Sequence, residues 1–183
     1  MRIGISGAQS TGKTTLLNAL RSEPVFKDYE VCNEVTRKVA SYGLPINEDG
    51  NDITQELIMN QHIVNLAMHD NMITDRTVLD GLVYSKYLRE NSKITAGTLK
   101  YVERIFDRMI QGYDFIFYVA PEFEIKNDGV RSINTFFRDR VVNIFNEVIS
   151  QKNVPVYNVK GTVRERVQFV LNVLEINKEI TDK

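Results

Sequence analysis

Short apolar runs alternate along this chain with longer stretches in which apolar residues recur every three or four positions. The runs at residues 2–6 (RIGIS), 29–33 (YEVCN), 71–75 (NMITD), 114–120 (DFIFYVA) and 155–159 (PVYNV) read as strands. Helical spacing predicts helices over about 13–21, 34–42, 54–69 and 78–90, and one from a Thr95 cap to about 111. Two more follow. In 133–150 the stripe is Ile133, Phe137, Val141, Ile144 and Val148; in 162–175 it is Val163, Val167, Val170, Leu171 and Leu174. The run at 114–120 is apolar almost throughout, as a parallel strand buried on both faces must be. Strands separated by helices predict an α/β fold with a mainly parallel sheet. Ligands of such sheets bind at the carboxyl ends of the strands, which gives every later motif an address.

The pattern predicts one domain over residues 1–176 and a frayed polar tail over 177–183. The segment GLPINEDGND (43–52) reads as a turn-rich connection within that domain. A net charge of −1 argues against a dedicated nucleic-acid surface. Cys32 is the only cysteine, which excludes an intrachain disulfide and points to a reducing, cytoplasmic setting. No apolar stretch is long enough to span a membrane. A strand beginning at residue 2 leaves no room for a secretion signal.

The chemistry starts at the first strand, which leads at once into Gly7-Ala8-Gln9-Ser10-Thr11-Gly12-Lys13-Thr14-Thr15 and then a helix. This is Gly-x-x-x-x-Gly-Lys-Thr in the context the motif requires. Backbone amides of such a loop point inward at phosphate oxygens, and the helix N-terminus adds partial positive charge. Residues 7–15 are therefore the expected ATP site, with Lys13 reaching the β- and γ-phosphates and the Thr14 hydroxyl ligating Mg²⁺.

Three other constellations fall at the same end of the predicted sheet. In MITDRT, Asp75 closes an apolar strand, where it can organise the metal or take a proton from an attacking hydroxyl; the alternative is an N-cap aided by Thr77. Arg76 beside it suits a phosphate or carboxylate of the substrate. In NEVTR, Glu34 and Arg37 share a helix face and can bind the acceptor, or form only a surface ion pair. In NDGVRSINTFFRDR (127–140), Arg131 and Arg138 project to one side while Arg140 lies about 160–180° away. Arg131 and Arg138 are then the pair that a lid over about 121–140 brings to the phosphates.

The set GISGAQSTGKTT, NEVTR, ITDRTVLDGLVYS and DGVRS…R resembles the P-loop small-molecule kinases. Within them it is most similar to the group that holds the nicotinamide riboside kinase domain of the bacterial NAD regulator and stand-alone AAA-type ATPase relatives. More distantly it resembles deoxynucleoside and thymidylate kinases, whose acidic-Arg-Ser/Thr element corresponds to Asp75-Arg76-Thr77. The resemblance implies a three-layer fold with sheet order 2-3-1-4-5, a helical lid, and transfer of the ATP γ-phosphate to a small acceptor. It makes Lys13 the phosphate lysine, Thr14 the metal hydroxyl, Asp75 the base or metal-organising carboxylate, and Arg131 a lid arginine.

A nucleoside, nucleotide or related small molecule is the expected acceptor and partner. The alternatives are a nucleotide switch regulated by a protein partner and, less favoured, a kinase of nucleic-acid ends or bases. The chain has no Trp, so stacking on a base would fall to Tyr42, Tyr84 or Tyr87, each also suited to ordinary packing. His62 and His69 are expected to be exposed or capping, and Cys32 to pack as a small apolar residue in a central strand.

Overall fold

The computed structural model describes residues 1–122 and 134–181, with side chains as far as 175. Five strands form one sheet: β1 (Arg2–Ser6), β2 (Glu30–Cys32), β3 (Met72–Asp75), β4 (Phe115–Val119) and β5 (Tyr157–Val159). The order is β2-β3-β1-β4-β5 and every pairing is parallel. Seven α-helices are described: α1 (Lys13–Arg21), α2 (Val35–Ser41), α3 (Asp52–Met68), α4 (Val78–Glu90), α5 (Ala96–Met109), α6 (Thr135–Gln151) and α7 (Val163–Thr181).

Strand alternation sorts the core onto two faces. Ile3, Ile5, Ile73, Phe117 and Val119 meet Leu16, Leu17 and Leu20 of α1 and Val170 and Val173 of α7. Met72, Ile116 and Tyr118 point the other way, against α4, α5 and α6. Each of the three α1 leucines is fully buried, worth roughly 1.5–3 kcal/mol apiece, and they fix the helix that carries the phosphate loop. A third, smaller cluster of Val35, Val39 and Ile58 joins α2 to α3, with Leu44 and Ile46 packed on it.

Three expectations are corrected. β2 is an edge strand, so Cys32 does not lie in the sheet centre, although it is buried as foreseen. α7 continues to Thr181, past the helix end expected near 175. The Val163 side chain, assigned to the α7 stripe, is 42 % exposed, because it opens the helix beyond the edge of the core. The segment expected to form the lid lies largely outside the described residues. No helix among the described residues is long and apolar enough to cross a membrane.

Candidate active site

The loop between β1 and α1 has the backbone its glycines permit. Gly7 has φ 145° and a Cβ there would come within 2.5 Å of the Val119 carbonyl oxygen; Gly12 has φ 89°. None of the amides of residues 9–12 donates to another described residue, which leaves them for an outside acceptor. The loop is pinned from two sides. Asp80 Oδ1 accepts from the Gly7 amide at 3.2 Å, and Arg166 Nη1 donates to the Thr11 carbonyl at 2.8 Å. Inside the loop, Lys13 Nζ donates to the Ala8 carbonyl at 2.5 Å and Thr11 Oγ1 to the same oxygen at 3.1 Å. Gln9 Oε1 accepts from the Tyr84 hydroxyl at 3.0 Å, Ser10 has φ 60°, and Thr15 is exposed.

Asp75 ends β3 opposite Ile5 of β1, which sets it beside the loop. Thr14 Oγ1 donates to Asp75 Oδ2 at 2.6 Å, while the buried Oδ1 has no partner among the described residues. The helix cap that the sequence offered as Asp75's alternative role belongs to Thr77, in a capping box with Asp80. Burial raises the Asp75 carboxyl above its ordinary range, against the pull of Lys13. Burial, reinforced by Arg76, brings the Lys13 ammonium down to about 8, against Asp75 and Asp80.

Glu34, the N-terminal boundary of α2, is 9 % exposed and holds two arginines. Its Oε1 accepts from Arg76 Nε at 2.6 Å and its Oε2 from Arg37 Nε at 3.1 Å. The link to Arg76 makes this more than a surface pair. Arg76 also lies 3.5 Å from Asp80 and places its guanidinium 4.8 Å above the Tyr84 ring, from a left-handed backbone of φ 76°. Burial alone would raise the Glu34 carboxyl, but Arg76, Lys13 and Arg37 together hold it well below the usual range. The two carboxylates near Lys13 are thus pushed in opposite directions.

The structure therefore brings together the loop, Asp75, Glu34, Arg37 and Arg76. Arg131 lies outside the described residues. Arg138 is on the first turns of α6, its Nε 3.7 Å from Asp139, whereas Arg140 is bound by Glu90 and Glu147. Tyr42 is 66 % exposed, and Tyr87 packs edge-on against Phe137 at 4.6 Å. His69 caps the end of α3 as foreseen, but His62 is buried at 1 % exposure, overturning the expectation for it.

Sequence reasoning missed Asp80, Gln55 and Arg166. The Thr77-x-x-Asp80 spacing is a capping-box signal and marked Asp80. Arg166 lies in the first turn of the helix after β5, again at the carboxyl end of a strand. Gln55 carries no local signal; it shows only when α3 packs on α4, where its Oε1 accepts from Ser85 at 3.0 Å.

A strand, a glycine-turned loop ending on Lys13-Thr14, and a carboxylate at the end of the neighbouring strand bonded to that threonine define a P-loop fold. The chain belongs to the AAA domain family, whose signature spans residues 2–166. Among curated proteins no sequence matches. Among solved structures, deoxyadenosine kinase from M. mycoides with the products dCMP and dCDP is similar at TM-score 0.71 and 16 % identity, over 96 % of this chain and 98 % of that one. The YorR protein from Bacillus subtilis, in complex with phosphorylated GDP, is similar at 0.63 and 18 %, over 98 % of each chain. The NadR protein in complex with NAD and AMP-PNP is similar at 0.67 and 15 %, over 92 % of this chain and 48 % of that one. The fold is the one found in P-loop kinases, and these neighbours come from the group the motifs resemble.

Proposed function

We propose that the protein is a phosphotransferase that moves the γ-phosphate of ATP, with Mg²⁺, to a nucleoside, nucleotide or related small acceptor. The observation that carries this reading is a pair of differently tuned carboxylates on either side of Lys13. Asp75 is bonded to the loop threonine; Glu34 is ionised and clamped by arginines, one of which, Arg76, lines a second cleft. A nucleotide switch without an acceptor has no need of that second arrangement.

In this reading the amides of residues 9–12 and Lys13 hold the β- and γ-phosphates. The Thr14 hydroxyl and the unpartnered Asp75 Oδ1 fit a hard divalent cation, which takes oxygen ligands and keeps several waters. Bound there, Mg²⁺ supplies charge neutralisation on the phosphate oxygens. No cluster of three or more metal-ligating side chains exists among the described residues, and phosphate oxygens and waters would supply the remaining ligands. Glu34 accepts a hydrogen bond from the acceptor hydroxyl and orients it, while Arg76 fixes Glu34. Arg131 and Arg138 offset charge on the moving phosphoryl group.

The test is incubation with ATP, Mg²⁺ and a pool of nucleosides, nucleotides and a short oligonucleotide, read by mass spectrometry. One acceptor gains a phosphoryl group. Lys13→Ala loses triphosphate binding, and Asp75→Asn keeps binding but loses turnover by about 10²-fold or more. Release of ADP and phosphate unaffected by every acceptor would replace this reading with a partner-regulated ATPase.

A further inference from the structure

A narrow cleft opens between α2, α3 and α4, walled by Thr36, Gln55, His62, Arg76, Asp80 and Tyr84. Buried polar groups on α3 are otherwise matched: Gln55 Oε1 accepts from Ser85, and Asn65 Oδ1 accepts from Gln61 at 2.8 Å. His62 is the exception. Its ring is buried, and neither Nδ1 nor Nε2 has a partner among the described residues. A buried donor and acceptor left unmatched are costly, so the arrangement persists because something else completes it. At about 20 Å³ the cleft holds a water, so a ring would enter it only if the helices that wall it move apart. Burial, with Arg76 nearby, brings His62 down to about 3, so its ring is neutral at ordinary pH and offers one donor and one acceptor.

The charges around the cleft narrow the choice of ligand. Arg76 is the one cation among the described residues that line it, and Glu34 and Asp80 already engage it. A phosphate there would meet an arginine already engaged by two carboxylates, one of them the Asp80 carboxylate that lines the cleft. An uncharged ring meets an imidazole, a carboxamide and a hydroxyl.

We propose that this cleft receives the base of an uncharged nucleoside and that His62 determines which base, through a hydrogen bond from its ring to the base edge. The proposal rests on the phosphotransferase reading and names its acceptor class. A site built to hydrogen-bond its substrate rejects an analogue that lacks the partner group.

The experiment compares wild type, His62→Phe and His62→Gln on purine and pyrimidine nucleosides and their 5′-monophosphates. It measures acceptor KM, ATP KM and base ranking, with nucleoside binding followed in parallel by calorimetry. Wild type prefers one nucleoside over its monophosphate. His62→Phe raises KM for that nucleoside by about 10- to 100-fold and flattens the base ranking with ATP KM unchanged, and His62→Gln recovers part of the loss. Unchanged ranking in His62→Phe, equal shifts in both KM values, or preference for a monophosphate overturns the proposal; a histidine matched only by water gives one of the first two. If wild type phosphorylates nothing, the phosphotransferase reading fails, and calorimetry decides the cleft by itself. Base-selective nucleoside binding lost in His62→Phe sustains it, and no such binding overturns it.

Discussion

Arg76 occupies a left-handed backbone conformation that costs an ordinary residue about 1 kcal/mol or more, so its surroundings must hold it there. Glu34, Asp80 and the Tyr84 ring do so from three directions. Removing the guanidinium leaves the Glu34 carboxylate buried with a partly exposed Arg37 as its remaining bonded cation. Arg76→Leu is therefore expected to cost about 3–5 kcal/mol in urea unfolding, and adding Glu34→Gln to recover part of it, because the neutral amide removes the buried charge. A double variant no more stable than Arg76→Leu would show that the loss comes from packing. Both residues were legible as single signals, Glu34 by its place after a strand and Arg76 by its neighbour Asp75. Their bond was not, since 42 residues separate them and no local pattern encodes a long-range pair. His62 was misread for a related reason: one histidine at helical spacing says nothing of which helix will cover it.

At the scale of elements, the phosphate loop depends on two helices that do not contain it. The α4 cap delivers Asp80 to the Gly7 amide, and α7 delivers Arg166 to the Thr11 carbonyl while its other nitrogens reach the Gly161 carbonyl and Glu122 at 2.8 Å each. Arg166 is thus a brace for the donor loop. Arg166→Met, which keeps the apolar stem, is expected to raise ATP KM several-fold, leave acceptor KM in place, and cost about 1–3 kcal/mol of stability. Equal changes in both KM values would mean general loosening instead. Periodicity predicted the elements themselves well, because β4 and the α6 stripe of Phe137, Val141, Ile144 and Val148 are dictated by burial. It erred at ends and edges. β2 has three residues and lies at the sheet edge, and a run of apolar residues does not distinguish an edge from a centre. The strand order came from motif resemblance, since alternation reports which face is buried and not which strand is the neighbour.

Across the whole molecule, stability is unevenly distributed, and the uneven part borders the candidate acceptor cleft. The two large clusters share β3 and β4, and one of them packs the loop-bearing helix α1 against β1 and α7. By contrast the seven-residue α2, which follows the edge strand β2, rests on the small cluster of Val35, Val39 and Ile58. Segments with few buried apolar contacts open at lower free energy than the core. Hydrogen exchange is therefore expected to be faster in residues 35–41 than in α1, β1 or β4. At about 20 Å³ the cleft is too narrow for a ring, so a nucleoside bound as proposed would have to part the helices around it and should slow exchange in 35–41 by bridging them. ATP alone should protect 7–21 and leave 35–41 nearly unchanged, because in the proposed reading its phosphates meet the loop and not α2. Exchange in α2 as slow as in α1, or equal protection by both ligands, would show that the acceptor cleft and the phosphate loop open as one unit and that the ring enters by another route.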